Sequence, residues 1–575
     1  MGVDTTPADA GKGSAASTAS YQPQRVGATA KHNSNAVALL WEWPEGRFAG
    51  MRVRGSQHVR AMQTDLAADT STAAPGSGRL ERMLARLLSR PAYALLLLAL
   101  VQVVVWTLAP ALTHTAPPLD VVESYLWGRE WVIGTFKHPG MPGWVLEISR
   151  ELTGAVGWPA YLASQLFIAA TFLCVFMLGR EMMDTRRALA GVLLLTGVFY
   201  FAWPSIEFNH NVAQMPFWAA IAWILWRVRS RPEAIWWVLL GFLAADVLYA
   251  KLSSGLLIVV AGVWLLYDPS LRRQLRTPRP WLGLLTFVVL IAPLLLWLLR
   301  EHFRPLLYGM ERSAHSGEGA LQFLGAQLLA AAGLVALAFA TGLLPTSSAS
   351  TAAPRGASAD PEAVRFLAFM TLAPVLITVL AALLAGSGLK SMWGAPMLGL
   401  SGLLLIALQS HRLTSEMLLG LARGALLLLI VLPIGYGLDT LYEARLTGRP
   451  KRQNWPQAAI SRRLSADWQQ ATQAPLQIVA GERWVAGIAA LEPGAMPSIL
   501  TDGDLTLSPW ITPERLSRSG ALLVWEAASD HDPVPTDLAA LAPKAQARFE
   551  RFDWPAFSNA APLLIGYAIL PPAGR

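Results

Sequence analysis

Long apolar runs recur along most of this chain, and they constrain its fold more than any other feature. Of 575 residues, 54% are hydrophobic and only 15% are charged, a balance far from that of a soluble domain. Because a bilayer core of about 30 Å needs roughly 20 apolar residues in a helix, the runs predict about eleven transmembrane helices. The predicted spans lie near residues 92–113, 158–179, 187–203, 211–226, 235–250, 253–267, 281–299, 321–344, 364–386, 391–409 and 418–442.

Arginines between the runs predict how the chain is oriented in the membrane. Four of them, in the range 79–90, precede the first run and place the N-terminus inside. The first outer loop, residues 114–157, carries five acids against three basic residues. With an odd number of spans, the residues after 445 lie outside. This topology accounts for the net charge of +8, so the charge does not indicate a nucleic-acid partner.

Two segments have a composition that predicts no regular secondary structure. Residues 1–78 are rich in Ala, Ser, Thr and Gly and show no sustained periodicity, which predicts a disordered N-terminal tail. Residues 345–362, rich in Ser, Ala, Pro and Thr, predict a flexible inner loop. Between and after these segments, residues 79–445 form the predicted transmembrane domain.

The last 130 residues mark a change in composition. Residues 446–575 alternate strand-like and helix-like runs, which predicts a small extra-cytoplasmic α/β domain. The predicted strands are Leu476–Ala480, Ser498–Thr501, Leu522–Trp525 and Leu563–Leu570. The predicted helices include Trp484–Leu491 and Leu538–Phe549.

The first outer loop contains a short predicted helix with acids on one face. Pro117-Pro118 can open a helix and would leave Asp120 in its first turn. At helical spacing Asp120, Glu123 and Trp127 share one face. The other face carries Leu119, Val122, Leu126 and Ile133. We therefore expect an interfacial helix with its apolar side in lipid and its carboxylates toward a cavity.

A carboxylate near a helix N-terminus is held ionised by the helix dipole, and it therefore suits a general base. Asp120 is the first candidate and Glu123 the second. A solvated helix whose acids only enforce membrane topology explains the same spacing.

The segment Lys137-His138-Pro139-Gly140-Met141-Pro142 cannot be regular helix, because its prolines remove donors and constrain their neighbours. One interpretation is a rigid turn that presents Lys137 and His138 to an anionic headgroup. A structural corner with interfacial charges is the alternative.

Further polar groups fall on the predicted outer side, between the apolar runs. Lys251 lies between two short runs, where a charge must be paired, bind phosphate or snorkel. Asn209, His210 and Asn211 form either a satisfied polar turn or a set that contacts a sugar or acceptor. Trp393, just before the tenth run, is a further candidate for that contact.

Together these motifs resemble bacterial glycosyltransferase family 39, relatives of the protein O-mannosyltransferases and of the aminoarabinose transferases that modify lipid A. The resemblance covers residues 90–445. It rests on Leu119-Asp120-Val121-Val122-Glu123, Trp127-Gly128-Arg129-Glu130, Lys137-His138-Pro139, Phe208-Asn209-His210-Asn211 and Leu248-Tyr249-Ala250-Lys251. The family's turn usually reads His-Pro-Pro, whereas Gly140 replaces the second proline here, so we expect a looser corner.

The resemblance implies a GT-C fold and transfer of a sugar from a polyprenyl phosphate to a hydroxyl acceptor, with inversion at the anomeric carbon. The acceptor is a glycolipid, a polysaccharide or a protein. The residues fit this chemistry: a base for the hydroxyl, and positive charge from Lys137, His138 and Lys251 for the departing phosphate. No cofactor follows with certainty. Some GT-C relatives use a divalent metal, and Asp120 or Glu123 would hold it here.

The implied location is the bacterial inner membrane, with the active site and the C-terminal domain on the periplasmic side. The alternative function is a transporter or flippase of lipid-linked sugars without transfer chemistry. A permease more often places its polar groups at mid-membrane depth than at one face. The sequence does not identify the sugar, the acceptor or the oligomeric state.

Overall fold

A computed structural model of the chain describes residues 78–344, 359–492, 494, 496–554 and 560–573. All of them belong to one compact unit, Thr70–Arg575. The predicted disordered tail lies outside the described residues apart from its last position. The predicted inner loop is described only from residue 359, and a helix already begins at Pro361, after the Asp360 cap.

Helices account for nearly all of the first part of the chain. The helices before residue 270 are α1 (Arg79–Leu88), α2 (Pro91–Thr113), α3 (Leu119–Arg129), α4 (Met141–Thr153), α5 (Trp158–Met182), α6 (Thr185–Leu195), α7 (His210–Ser230), α8 (Ala234–Ala250), α9 (Gly255–Tyr267) and α10 (Pro269–Gln274). They are followed by α11 (Pro278–Arg300), α12 (Arg304–Ala314), α13 (Ala320–Ala330), α14 (Ala332–Ala340), α15 (Pro361–Ala385), α16 (Ser401–Leu408) and α17 (Ser415–Thr447).

Every predicted span falls on a helix or on two consecutive helical segments. Within the described part of the chain, six helices are long and apolar enough to cross a membrane, or up to eight if each of two bent pairs is one span. The bent pairs are α6 with Phe199–Ile206, at 86°, and Ser391–Leu398 with α16, at 51°. The polytopic helical fold is confirmed, whereas the count of about eleven spans and the membrane orientation stay predictions.

The first outer loop folds as two helices joined by a tight corner. Helix α3 begins directly after Pro118, as predicted, and Asp120 lies in its first turn. Helices α3 and α4 approach so closely that a Cβ on Gly128 would lie 2.1 Å from the carbonyl oxygen of Gly143. Glycine at both positions therefore sets the distance between the two helices.

The prediction that the apolar side of α3 lies in lipid is wrong. Val122 and Leu126 are buried, and they pack on Gly487 of the C-terminal domain rather than on lipid. Burial against protein withdraws these side chains from solvent just as a bilayer would, so amphipathic spacing alone does not distinguish the two surroundings.

The corner between α3 and α4 is closed rather than loose. The Gly140 amide donates to the carbonyl oxygen of Ile133 at 2.7 Å, a bond that a proline could not make. A Cβ at Gly140 would lie 2.1 Å from the carbonyl oxygen of Val132. Helix α4 then begins at Met141, within the segment predicted to be irregular, because Pro142 is tolerated in a first helical turn.

A mixed five-stranded sheet forms the core of the C-terminal part. Its strands are β1 (Ile478–Gly481), β2 (Ser498–Thr501), β3 (Ala521–Glu526), β4 (Arg548–Phe552) and β5 (Leu563–Leu570), in the order β2-β1-β3-β5-β4. The first three strands are parallel, and β5 pairs antiparallel with both β3 and β4. The helices are α18 (Gln457–Thr472), α19 (Arg483–Ala490), α20 (Pro513–Ser519) and α21 (Thr536–Leu541).

One predicted element of this domain is wrong in its second half. The predicted helix Leu538–Phe549 ends at Leu541, and Arg548–Phe552 is an edge strand instead. Pro543 interrupts the helical pattern. Its two arginines are exposed and Glu550 is half-buried, so the charged residues resemble a solvated helix face in the sequence. The four predicted strands and the helix at 484–491 are confirmed to within two residues.

We expect Gly140→Ala to destabilise the protein, because the added methyl group would overlap the carbonyl oxygen of Val132. Overpacking of this kind costs about 1–3 kcal/mol, which thermal unfolding in detergent would register as a lower midpoint. Gly309→Ala is the control, since Gly309 lies in helix α12 with open space at its Cβ position. An equal effect of both substitutions would argue against a tightly closed corner.

Candidate functional site

Asp120 is fixed by three contacts at the beginning of helix α3. Its Oδ2 accepts a hydrogen bond from Asn209 Nδ2 at 3.2 Å, and Lys137 Nζ lies 3.6 Å from its Oδ1. Its backbone N–H donates to Glu207 Oε1 at 3.1 Å. The side chain remains 32% exposed. It is therefore oriented by the protein and still open to a reactant.

Glu123, one turn further along α3, is enclosed by two cations. Lys137 Nζ lies 2.5 Å from its Oε2, and Arg483 Nε lies 3.3 Å from its Oε1. Only 3% of the side chain is exposed. Burial raises the pKa of the Glu123 carboxyl, and the Lys137 ammonium counteracts that rise. Glu123 therefore serves as a counter-ion, whereas Asp120 faces open space.

Lys137 binds both acids of α3 through one ammonium group. Burial acts to lower its pKa, but the carboxylates of Glu123 and Asp120 outweigh burial and raise it. The ammonium also lies 5.9 Å from the centre of the Trp127 ring. A cavity of about 10 Å³ beside this group is lined in part by Glu123, Trp127 and Arg483. It has room for no more than about one water molecule, so a larger ligand would meet Asp120 at its exposed side.

Glu207 is a site residue that the sequence interpretation did not select. It precedes Asn209 in the chain and accepts the Asp120 backbone N–H, as described above. Burial, together with the nearby Asp120 carboxylate, raises the pKa of Glu207 to about 8. At neutral pH Glu207 is therefore mostly protonated. The sequence contained one feature that could have identified Glu207: it stands two residues before Asn209, which caps a helix.

The two histidines of the site form a stacked pair. The rings of His138 and His210 lie 4.0 Å apart, centre to centre, and His210 Nε2 lies within hydrogen-bonding distance of the Pro139 carbonyl oxygen, at 3.2 Å. Burial and His210 lower the pKa of His138 well below its usual value. The ammonium groups of Lys137 and Lys251 lower it further. At neutral pH His138 is therefore an uncharged hydrogen-bonding group rather than a cation.

A second cation, Lys251, lies in the turn after helix α8. Its Nζ donates to Asn211 Oδ1 at 2.5 Å and lies 5.9 Å from the centre of the Trp393 ring. Burial lowers the pKa of Lys251 to about 8, although the Asp120 carboxylate acts in the opposite direction. This buried ammonium has a neutral amide and an aromatic face as its neighbours. An incoming anion would therefore stabilise the charged form of Lys251.

The structure brings the predicted site residues together at one end of the helices. Asn209 caps helix α7 with its side-chain oxygen and donates to Asp120, so it links the acid group to the histidines and to Lys251. Trp393 lies on the Lys251 side of the cluster. Arg483, from the C-terminal domain, is a second residue that sequence reasoning missed. Arg483 is the first residue of helix α19, just after strand β1. Nothing in the sequence indicated that its side chain would reach Glu123.

A resident divalent metal does not fit between Asp120 and Glu123, because the Lys137 ammonium occupies the position between their carboxylates. In the part of the chain that the structure describes, no three His, Cys, Asp or Glu side chains are arranged to hold a metal ion. We therefore derive no step through a metal.

Comparisons with known proteins agree with the motifs. Residues 137–297 match the family model of dolichyl-phosphate-mannose-protein mannosyltransferases. This range includes Lys137, His138, Asn209, His210 and Lys251 and excludes both acids of α3. No curated protein matches the sequence.

The fold is similar to that of ArnT from Cupriavidus metallidurans, whose crystal structure was determined with undecaprenyl phosphate bound. The TM-score is 0.55 at 14% identity, over 82% of this chain and 97% of that chain. The apo oligosaccharyltransferase of Archaeoglobus fulgidus matches with a TM-score of 0.39 at 12% identity, over 76% of this chain and 69% of that one. The family model and the ArnT-like fold confirm the resemblance to the GT-C glycosyltransferases.

We expect Glu207→Gln to remove a pH dependence of stability. The carboxyl has an ordinary pKa of 4.5 when unfolded and about 8 when folded, so its contribution to stability is complete below pH 4.5 and declines as the pH rises to 8. Glutamine keeps the oxygen that accepts the Asp120 N–H and does not ionise. As the pH rises from 5 to 8, the unfolding midpoint of the wild type should therefore fall relative to that of the variant.

Glu311→Gln, at an exposed position of helix α12, is the matched control. A constant difference between Glu207→Gln and the wild type over that pH range would show that Glu207 titrates normally.

Proposed function

We propose that this protein is a membrane glycosyltransferase that moves a sugar from a polyprenyl-phosphate donor to a hydroxyl acceptor. The observation that carries the proposal is the arrangement of an open carboxylate, Asp120, beside two ammonium groups at the ends of membrane helices. Glycosyl transfer from a phosphate donor needs a base for the attacking hydroxyl and positive charge for the departing phosphate. The matched mannosyltransferase family and the ArnT-like fold agree with this chemistry.

Asp120 is the proposed base. Its 32% exposure gives the acceptor access, and its position in the first turn of α3 places it at the positive end of the helix dipole. Asn209 and Lys137 hold its orientation, and protonated Glu207 avoids a second negative charge beside it. In the transfer step the acceptor oxygen attacks the anomeric carbon, Asp120 takes the hydroxyl proton, and the bond to the phosphate breaks.

Lys251 is the proposed main phosphate ligand. Both carboxylates of α3 already neutralise Lys137, whereas among the described residues Lys251 has only a neutral amide as its hydrogen-bond partner. An anionic phosphate beside Lys251 would favour its charged form and accept its hydrogen bonds. His138, held neutral, would contribute a hydrogen bond. The electron pair of the broken bond stays on the polyprenyl phosphate, where these groups stabilise the added charge.

The sugar is proposed to lie between Asp120 and Lys251. Trp393 offers an aromatic face next to Lys251, which suits the apolar side of a sugar ring. Asn209, His210 and Asn211 are all engaged with protein partners, so we propose that they position Asp120 and Lys251. A donor whose lipid tail stays in the bilayer also accounts for a site at the membrane edge.

The site is proposed to face the periplasm of a bacterial inner membrane, as the positive-inside distribution predicts. The acceptor is proposed to be a glycolipid, a polysaccharide or a protein. The transporter alternative has less support, because the polar groups gather at helix ends rather than along a path through the bilayer.

We expect Asp120→Asn to reduce transfer by about 10²–10⁴-fold, the usual contribution of a general base. Asparagine keeps the size of the side chain but cannot accept the proton, so donor binding should remain within a few-fold of wild type. The assay uses protein in lipid nanodiscs with radiolabelled polyprenyl-phosphate sugars and a crude envelope fraction as acceptor.

Glu151→Gln is the matched control for this experiment, because Glu151 lies in the same outer loop with 57% of its side chain exposed. Transfer that persists in Asp120→Asn and disappears in Glu123→Gln would assign the base to Glu123. Wild-type protein that binds the donor and transfers nothing to any fraction would favour the transporter.

We expect donor affinity to weaken as the pH rises through about 8, the pKa of free Lys251. Below that pH the ammonium is charged and binds phosphate, and above it the free enzyme loses the charge. Lys251→Arg should keep its affinity at pH 9, because a guanidinium stays protonated. Lys251→Met should bind the donor weakly at every pH. Equilibrium binding of the polyprenyl-phosphate sugar is measured for the wild type and for both variants.

Glu207 ionises in the same range, so the titration is repeated in the Glu207→Gln background. A pH dependence that vanishes in that background would belong to Glu207 and would remove the role proposed for Lys251.

A further inference from the structure

An apolar groove of about 280 Å³ lies between helices α7, α8, α9 and α11. Ile221 and Leu225 form its floor on α7. These residues follow His210, the catalytic-site end of that helix, by 11 and 15 positions, which corresponds to roughly 16–22 Å of helix. The groove therefore lies toward the end of the helices that is opposite the catalytic cluster.

Helices α8 and α11 pack closely and form one wall of the groove, whereas the side at helix α9 has free space. A Cβ at Gly241 of α8 would lie 2.0 Å from the carbonyl oxygen of Gly283 of α11, so these helices touch backbone to backbone. Gly262 of α9 also lines the groove, and a Cβ there would meet nothing within 4 Å. The groove thus has one rigid wall and one side with free space.

Aromatic residues and hydrogen bonds fix the mouth of the groove. Trp281 Nε1 donates to the carbonyl oxygen of Leu275 at 2.9 Å. Trp237 Nε1 donates to Gln274 Oε1 at 3.0 Å. Both tryptophans and Leu275 line the groove. Trp281 is 56% exposed, and exposed tryptophan is typical of helices at the level of lipid headgroups, so we infer that the mouth lies near a membrane interface.

The segment at this mouth is strongly basic. Between residues 268 and 280 there are four arginines and one acid, and that acid, Asp268, is already paired with Arg229 at 2.9 Å. Arg276 directly follows Leu275 and Arg279 directly precedes Pro280, two residues of the groove lining. Both arginines are exposed. Their charge is available to an anion bound at the mouth.

We propose that this groove binds an anionic phospholipid, with its headgroup phosphate at Arg276 and Arg279 and an acyl chain between α8, α9 and α11. Apolar walls that end at two exposed arginines and the exposed Trp281 match the two halves of such a lipid. The tail of the sugar donor is a poorer occupant, because its phosphate must lie near Asp120 at the other end of the helices. The proposed site is therefore separate from the catalytic cluster.

Native mass spectrometry of the purified, delipidated protein tests the site by titration with phosphatidylglycerol and with phosphatidylcholine. We expect phosphatidylglycerol to bind at least about tenfold more tightly. Arg276→Gln/Arg279→Gln should remove that preference and leave phosphatidylcholine unchanged. Gly262→Leu places a side chain in the open space of the groove and should weaken the binding of both lipids.

The structure offers a matched control for each variant. Arg86→Gln/Arg365→Gln removes two exposed arginines from helices α1 and α15 and should keep the preference. Gly435→Leu adds the same side chain to another membrane helix where a Cβ meets nothing within 4 Å, and it should bind lipid as the wild type does.

Equal affinity for the two phospholipids in the wild type would overturn the proposal, as would a preference that survives in Arg276→Gln/Arg279→Gln. Binding of polyprenyl phosphate that falls in Gly262→Leu and not in Gly435→Leu would assign the groove to the donor tail instead. If Gly262→Leu does not fold, the arginine variants still decide whether the preference for phosphatidylglycerol depends on Arg276 and Arg279.

Discussion

The ion pair between Lys137 and Glu123 is the interaction on which the rest of the site depends. One ammonium group lies 2.5 Å from Glu123 and 3.6 Å from Asp120, so a single positive charge is shared by the two acids of α3. Burying Glu123 is tolerable only because Lys137 and Arg483 accompany it, since an unpaired buried carboxylate is costly. The pair also leaves Asp120 partly exposed, which is the property that a base for an incoming hydroxyl requires.

Two parts of the chain are needed to hold helix α3 in place. Asn209 and Glu207, before helix α7, bind the side chain and the backbone of Asp120. From the other side, Gly487 of the C-terminal domain meets Val122, and Arg483 reaches Glu123. The C-terminal domain is thus part of the support of the candidate site. The site and the proposed lipid groove lie toward opposite ends of the same helices, so each can be altered without removing residues of the other.

Much of the fold followed from local patterns. Apolar runs identified the long apolar helices, because a helix that crosses a bilayer needs about 20 apolar residues in succession, and Pro117-Pro118 marked the beginning of α3 correctly. The sequence patterns gave wrong predictions where two different environments produce the same spacing of apolar and polar residues. The apolar face of α3 contacts protein rather than lipid, and the polar edge strand Arg548–Phe552 resembled the end of a helix. Gly140 was interpreted as a looser corner, although its amide makes a hydrogen bond that closes the corner.

The sequence by itself determined the class of the protein, because hydropathy and charge distribution are properties of composition and order along the chain. It also identified most of the polar groups that form the cluster. Only the tertiary structure decided their relations: that Glu123 is enclosed while Asp120 is open, that His138 is neutral, and that Glu207 and Arg483 belong to the site. Those properties depend on contacts between residues that are mostly far apart in the chain, such as Asp120 with Glu207, 87 positions away, and Glu123 with Arg483, and on the exclusion of water around them. Neither quantity is encoded in any short stretch of sequence.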